Sequence, residues 1–137
     1  MLKISFQSIC LLVFCLFTQR VGVFAQKANQ LPTYDIVVYS GNAAGIIAGY
    51  SAKKLGKKVL VIEPTKRIGG LTTGGLGATD IGNKYAITGL SRDFYRRLGK
   101  EYGSFEQWKF EPKVALKVLN DYVKESNLEI RYNYRLK

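Results

Sequence analysis

The sequence predicts an α/β fold in which a β-α-β unit begins a parallel sheet. Residues 34–39 have the composition of a short buried strand, residues 43–55 follow an apolar helical pattern, and residues 58–63 form a second apolar strand. Gly56 is expected to end the helix in a left-handed conformation. Because a helix connects the two strands, we expect them to lie parallel in one sheet.

A turn of small residues joins the first strand to the helix, and it consists of Ser40, Gly41, Asn42, Ala43, Ala44 and Gly45. In dinucleotide-binding β-α-β units, the backbone of such a turn approaches a pyrophosphate at the positive end of the helix. If Gly45 is the third glycine of G-x-G-x-x-G, the first two positions hold Ser40 and Asn42. Gly41 and Asn42 can both reach a positive φ, so the tight turn stays feasible. A purely structural turn is the alternative.

An acidic residue at the end of the second strand favours cofactor binding. Glu63 lies 23 positions after Ser40, close to the spacing of about 20 typical of a carboxylate that binds the adenosine ribose. A carboxylate accepts hydrogen bonds from the ribose hydroxyls and repels a 2′-phosphate. The sequence therefore predicts a Rossmann-like unit that prefers FAD or NAD to NADP.

A glycine-dense loop, residues 67–77, follows the second strand. It carries a single arginine, Arg67, together with Gly69, Gly70 and Thr73. Such a loop can fold over a bound dinucleotide. A flexible linker is the alternative, although flexible linkers seldom show such ordered apolar and threonine spacing.

These motifs resemble the FAD-dependent oxidoreductases of the glutathione-reductase-like fold, in which R-x-G-G with a nearby Thr or Ser follows the acidic residue. More closely, the chain resembles the secreted or cytosolic family called FAD-dependent oxidoreductase, which is related to the flavin subunit of heterodisulfide reductase. The segments that carry this resemblance are residues 38–45, 62–65, 68–70, 73–80 and 110–115. The resemblance covers about residues 34–137.

The resemblance implies roles for the residues of the turn and the loop. Residues 40–45 would line the pyrophosphate turn, Glu63 would hold the ribose, and Arg67 would pair with the cofactor or brace its loop. Three loop residues would run close to the ribityl and flavin side: Gly69, Gly70 and Thr73. The implied activity is hydride transfer between FAD and a small substrate, for which a carbohydrate derivative is one candidate.

The resemblance also implies an incomplete FAD-binding domain, with residues 34–137 as its N-terminal part. Relatives continue for several hundred residues and add further strands and a substrate domain. The chain has no His, and its two cysteines, Cys10 and Cys15, lie in the N-terminal segment. We therefore expect noncovalent FAD and no iron-sulfur cluster in this chain.

The N-terminus predicts export to the periplasm or the extracellular space. Residues 1–25 have a short positive start, an apolar run over residues 4–17, and small residues at Val23 and Ala25 before a cleavage site. The run is shorter than the roughly 20 residues that a spanning helix needs, so a retained membrane anchor is the less favoured alternative. Residues 26–33 would form a short linker.

The chain is strongly basic, with a net charge of +11. Removal of residues 1–25 would leave 19 basic and 10 acidic side chains, a net charge of +9. The basic residues are scattered along solvated helix faces and loops, without a basic run interleaved with aromatic residues. We therefore expect no nucleic-acid partner, and generic attraction of anions is the alternative.

Further elements are expected in the second half of the chain. A helix is predicted over residues 89–98, another from Pro112 to about Asn127, and a strand over residues 128–134 that joins the parallel sheet. No set of residues for general acid or base chemistry stands out, because the acidic side chains can equally be caps or surface charges. The candidates weighed for such a role are Asp80, Asp93 and Glu111.

Three classes of function stay open at this point. The chain can be an FAD-dependent oxidoreductase or part of one, a nucleotide-binding module completed by another chain, or a nonfunctional remnant that retains the family signature. The hydride chemistry of such a fold belongs to the flavin, and the protein mainly positions it.

Overall fold

Three parallel strands form the sheet of this protein in a computed structural model that describes residues 31–137. The strands are β1 (Ile36–Tyr39), β2 (Val59–Glu63) and β3 (Glu129–Tyr132). They lie side by side in chain order, with Ile36 opposite Val59 and Leu60 opposite Glu129. The predicted parallel sheet is confirmed, including the position of the last strand beside the first two.

Residues Thr33–Lys137 form one compact unit. The predicted signal peptide, residues 1–25, and most of the predicted linker lie outside the described residues. Within residues 31–137, none of the helices is long and apolar enough to cross a membrane.

Three helices connect and cover the strands: α1 (Ala43–Lys54), α2 (Gly89–Glu101) and α3 (Pro112–Ser126). Each begins where the sequence predicts, and α2 continues three residues beyond its predicted end. Gly56 has φ +76°, which confirms the left-handed end of α1. Two short 3-10 helices, Gly70–Thr73 and Lys84–Ala86, were not predicted.

The core lies where α1 packs against β1, β2 and α3. Ile46 of α1 and Val61 of β2 are fully buried there. Gly49 brings the helix close to the sheet, because an added Cβ would lie 2.9 Å from the Cδ2 atom of Leu128. This close packing fixes the start of α1 relative to the ends of β1 and β2.

β1 differs from its prediction as a buried strand. Three of its four residues are exposed, including Val37 and Tyr39, and only Val38 packs against the core. A parallel strand becomes buried when neighbours cover both of its faces. Helix α1 packs against β1, whose Val38 contacts the core, whereas the face that carries Val37 and Tyr39 is exposed.

Candidate functional site

Asn42 caps α1 and sets the geometry of the turn between β1 and α1. Its backbone is extended, with φ −64°, and its side-chain Oδ1 accepts a hydrogen bond of 2.8 Å from the N–H of Gly45. Asparagine is a favoured N-cap residue, so a sequence signal for this role existed. The N–H groups of the first helical turn form the positive end of α1, where anions bind favourably.

The turn reaches its left-handed conformation at Ser40, where φ is +94°. The prediction of a positive φ at Gly41 or Asn42 is wrong, because neither residue has one. Asn42 instead adopts the extended conformation of an N-cap. Gly45 serves close packing, because an added Cβ would lie 2.0 Å from the carbonyl oxygen of Ser40.

Glu63 at the end of β2 holds this turn in place. Its side chain is buried, its Oε2 accepts a 2.7 Å hydrogen bond from the N–H of Gly41, and its Oε1 accepts one of 2.7 Å from the N–H of Thr65. Burial raises the pKa of Glu63, but the hydrogen bonds from Thr65 and Gly41 outweigh it and keep the pKa below its usual range. The carboxylate is therefore ionised at neutral pH, and each oxygen retains a second lone pair.

The glycine-dense loop is attached to the same turn. The N–H of Gly69 donates a 2.7 Å hydrogen bond to the carbonyl oxygen of Gly41. Gly69 has φ +95°, and an added Cβ would lie 2.2 Å from the Cγ2 atom of Thr73. The buried hydroxyl of Thr73 donates to the carbonyl oxygen of Ile68 at 2.6 Å. Gly69 and Thr73 thus shape the loop from inside.

A cavity of about 340 Å³ lies between the turn and the end of β2, and we name it the polar cavity after the polar side chains among its lining residues. It presents a carboxylate, hydroxyls, an amide and a guanidinium. The lining residues are Ser40, Asn42, Glu63, Pro64, Thr65, Arg67 and Gly70. This mixture of donors and one ionised acceptor suits a sugar-phosphate group.

A second, mainly apolar cavity of about 690 Å³ lies against α1, the segment after the loop, and α2. Ala44, Ala48 and Ser51 give α1 a small-residue stripe along it. Thr79 and Asp80 contribute polar atoms. This cavity was not predicted from the sequence, although the spacing of four and three residues between the small residues of α1 is a signal for it.

The predicted site residues divide between the two cavities and the backbone that shapes them. Five line the polar cavity: Ser40, Asn42, Glu63, Arg67 and Gly70. Two line the apolar cavity: Ala43 and Ala44. Four line neither and shape the turn and the loop: Gly41, Gly45, Gly69 and Thr73.

Metal binding finds no support in the described part of the chain. No group of three His, Cys, Asp or Glu side chains lies close enough together within residues 31–137 to hold a metal ion.

Comparison with known proteins identifies one family. The family described as FAD dependent oxidoreductase matches residues 35–137. No curated protein matches the chain.

Three solved structures have a similar fold. An oxidised steroid monooxygenase bound to NADP gives a TM-score of 0.51 at 24% identity, covering 74% of this chain and 20% of the other. OTEMO in an FAD-bound form gives a TM-score of 0.52 at 21% identity, covering 77% of this chain and 20% of the other. The 3-ketosteroid-Δ4-(5α)-dehydrogenase of Rhodococcus jostii RHA1, in complex with 4-androstene-3,17-dione, gives 0.51 at 14% identity, covering 82% and 40%.

These likenesses show the fold alone and confirm a Rossmann-like α/β unit. The chain spans between 20% and 40% of the length of these three proteins.

Proposed function

Because the chain belongs to the FAD-dependent oxidoreductase family, we propose that its β-α-β unit binds the adenosine and pyrophosphate parts of FAD in the polar cavity. The observation that carries this proposal is the ionised carboxylate of Glu63, which lies within the cavity and is hydrogen-bonded at 2.7 Å to the turn residue Gly41. A carboxylate at the end of the second strand is the group that recognises an unphosphorylated adenosine ribose.

The residues of the turn fit a pyrophosphate. Ala43 and Gly45 place no bulky side chain in the first turn of α1, and Asn42 orders that turn by capping it. The positive end of a 12-residue helix favours a bound anion. Arg67, at the rim of the polar cavity, adds a positive charge that complements phosphate.

The apolar cavity is the proposed location of the flavin ring. It begins at Ala43 and Ala44, at the same helix end that meets the pyrophosphate turn, and it is large enough for a drug-sized aromatic ligand. When bound, FAD supplies hydride transfer, and the residues of this chain bind and orient it. We propose noncovalent binding, because the chain has no His and its cysteines are Cys10 and Cys15.

Several predictions from the sequence stay proposals. They are hydride transfer with a small substrate, for which a carbohydrate derivative is one candidate, the absence of an iron-sulfur cluster, and export through residues 1–25. Since the chain spans 20% to 40% of the solved structures it resembles, the activity of a whole enzyme is a proposal as well. A nucleotide-binding module completed by another chain is the second candidate.

Titration of the full chain with FAD, NAD and NADP tests the proposed function. We expect FAD to bind most tightly and NADP most weakly, because Glu63 repels the 2′-phosphate. Glu63→Gln should weaken FAD binding and reduce the discrimination against NADP. Glu111→Gln is the matched control, since Glu111 pairs with Lys113 on the surface. Equal or tighter binding of NADP by the unaltered chain would contradict the proposal.

A further inference from the structure

Ser40 is held in a backbone conformation that serine disfavours. Three non-glycine residues among residues 31–137 have a positive φ: Ser40, Asn127 and Asn133. Asparagine tolerates the left-handed region, whereas serine does so less readily. The first glycine of a dinucleotide-binding turn would occupy this position without strain. Backbone geometry alone therefore favours glycine over the serine found here.

The backbone of Ser40 is fixed by its surroundings. Its N–H donates a 2.8 Å hydrogen bond to the carbonyl oxygen of Ile62, and its own carbonyl oxygen lies against Gly45. Strain of this kind persists where surrounding contacts determine the conformation, and it is concentrated at ligand sites.

The hydroxyl of Ser40 has a hydrogen-bond donor to offer. The side chain lines the polar cavity together with Glu63 and Arg67. Its Oγ accepts one long hydrogen bond, 3.4 Å, from the N–H of Asn42. Within residues 31–137 this hydroxyl donates to no protein group. A neutral donor beside the pyrophosphate turn complements a phosphate oxygen.

We propose that the Ser40 hydroxyl donates a hydrogen bond to a phosphate oxygen of the adenosine diphosphate half of the cofactor. The proposal rests on the proposed function of the same cavity and adds a binding residue that a glycine turn lacks. Serine at this position is more strained than glycine, but it offers a hydroxyl contact with the ligand. If the hydroxyl only accepted the hydrogen bond from the Asn42 N–H, its role would be structural, and its removal would leave ADP binding unchanged.

Binding of ADP and of adenosine, measured by calorimetry on the full chain, tests this inference. Ser40→Ala keeps the restricted backbone and removes the hydroxyl, so we expect about three- to tenfold weaker ADP binding and unchanged adenosine binding. Ser40→Gly should weaken ADP binding by at least the same factor while raising the thermal unfolding midpoint. Ser126→Ala, which removes a hydroxyl at the end of α3 and outside both cavities, is the control and should leave ADP binding unchanged.

Two outcomes would overturn the inference alone. In the first, Ser40→Ala binds ADP as tightly as the unaltered chain, which would mean that the hydroxyl has only a structural role. In the second, adenosine binding falls by the same factor as ADP binding, which would place the contact on the ribose. If the unaltered chain binds neither FAD nor ADP, the proposed function fails together with the inference.

Discussion

Two polar clusters of this molecule use their hydrogen bonds in opposite ways. The nucleotide turn, residues 40–45 with Glu63, surrounds a cavity. The helix-pair cluster joins α2 to α3 and consists of Asp93, Arg97, Tyr122 and Glu125. In it, the fully buried Tyr122 donates to Asp93 at 2.6 Å, and Arg97 donates to Asp93 at 2.7 Å.

The side chains of the helix-pair cluster bond mainly to one another. Arg97 also donates both terminal nitrogens to Glu125, at 2.5 and 3.0 Å, and lies 4.0 Å from the ring centre of Tyr122. Burial and the hydrogen bond to Asp93 raise the pKa of Tyr122, so this phenol stays protonated. Such a side-chain network stabilises the contact between two helices.

The nucleotide turn leaves capacity for a ligand. The Ser40 hydroxyl retains its donor, and Glu63 retains a lone pair on each oxygen after accepting from Gly41 and Thr65. Its backbone is also strained at Ser40. The comparison shows that the side chains of the helix-pair cluster bond to one another across two helices, whereas Glu63 bonds to backbone N–H groups beside a cavity.

The largest effect is expected from Gly45→Ala in the nucleotide turn. An added Cβ would lie 2.0 Å from the carbonyl oxygen of Ser40, and backbone cannot move aside cheaply. We expect a loss of about 3 kcal/mol in the free energy of unfolding and loss of FAD binding. Chemical denaturation and FAD titration measure both. Gly82→Ala is the control, because no atom lies within 4 Å of its added Cβ.

Tyr122→Phe should break the helix-pair cluster without touching the nucleotide turn. It removes a hydrogen bond to a charged carboxylate, so we expect a loss of about 2 kcal/mol in the free energy of unfolding. FAD affinity of the folded protein should stay unchanged. Tyr85→Phe removes an exposed hydroxyl and should be neutral. A matching fall in FAD affinity would show that the two clusters are coupled.

Glu63→Gln should remove the part of the protein's pH-dependent stability that comes from protonation of the Glu63 carboxylate. The pKa of Glu63 is lowered on folding, so its stabilisation is present above the ordinary glutamate pKa of about 4.3. It is lost as the pH falls through the lowered pKa. We expect the free energy of unfolding of the variant to be about 1 kcal/mol below that of the unaltered chain at pH 7. This difference should disappear below a pH of about 4. A gap that stays constant from pH 7 to pH 3 would argue against an ionised Glu63.

Ala48→Phe should have the smallest effect on stability, within about 0.5 kcal/mol, because Ala48 is exposed on the wall of the apolar cavity. The added ring would occupy space proposed for the flavin. We expect weaker FAD binding and unchanged ADP binding, both measured by calorimetry. Lys54→Phe adds the same ring to α1 outside the cavity and serves as control. Equal retention of FAD by both variants would place the flavin elsewhere.

The fold could be predicted because its signals are local. The apolar strands, the helical pattern after the turn, and Pro112 at the start of α3 lie within short windows of sequence. The burial of β1 was predicted wrongly, because strand composition does not reveal which neighbours cover it.

The site could be predicted only in part. The position of Glu63 followed from its spacing to the turn, but its hydrogen bond to Gly41 joins residues 22 positions apart and depends on strand register. The positive φ of Ser40 occurs two residues before the N-cap Asn42, at a residue type that does not signal it. The small-residue stripe of α1 marks one wall of the apolar cavity, but the cavity also requires α2 and the segment after the loop to come together, which depends on tertiary packing.

The strand order β1-β2-β3 has a consequence for the order in which this molecule folds. Each strand pairs with the one synthesised before it, so no strand waits for a later partner to be inserted between them. Closing a shorter loop costs less entropy, and β1 meets β2 across a shorter segment than the one that separates β2 from β3. Ser40, Gly41 and Glu63 all belong to this first pair or its turn. We therefore expect the groups proposed to recognise the nucleotide to come together early in folding, before β3 joins the sheet.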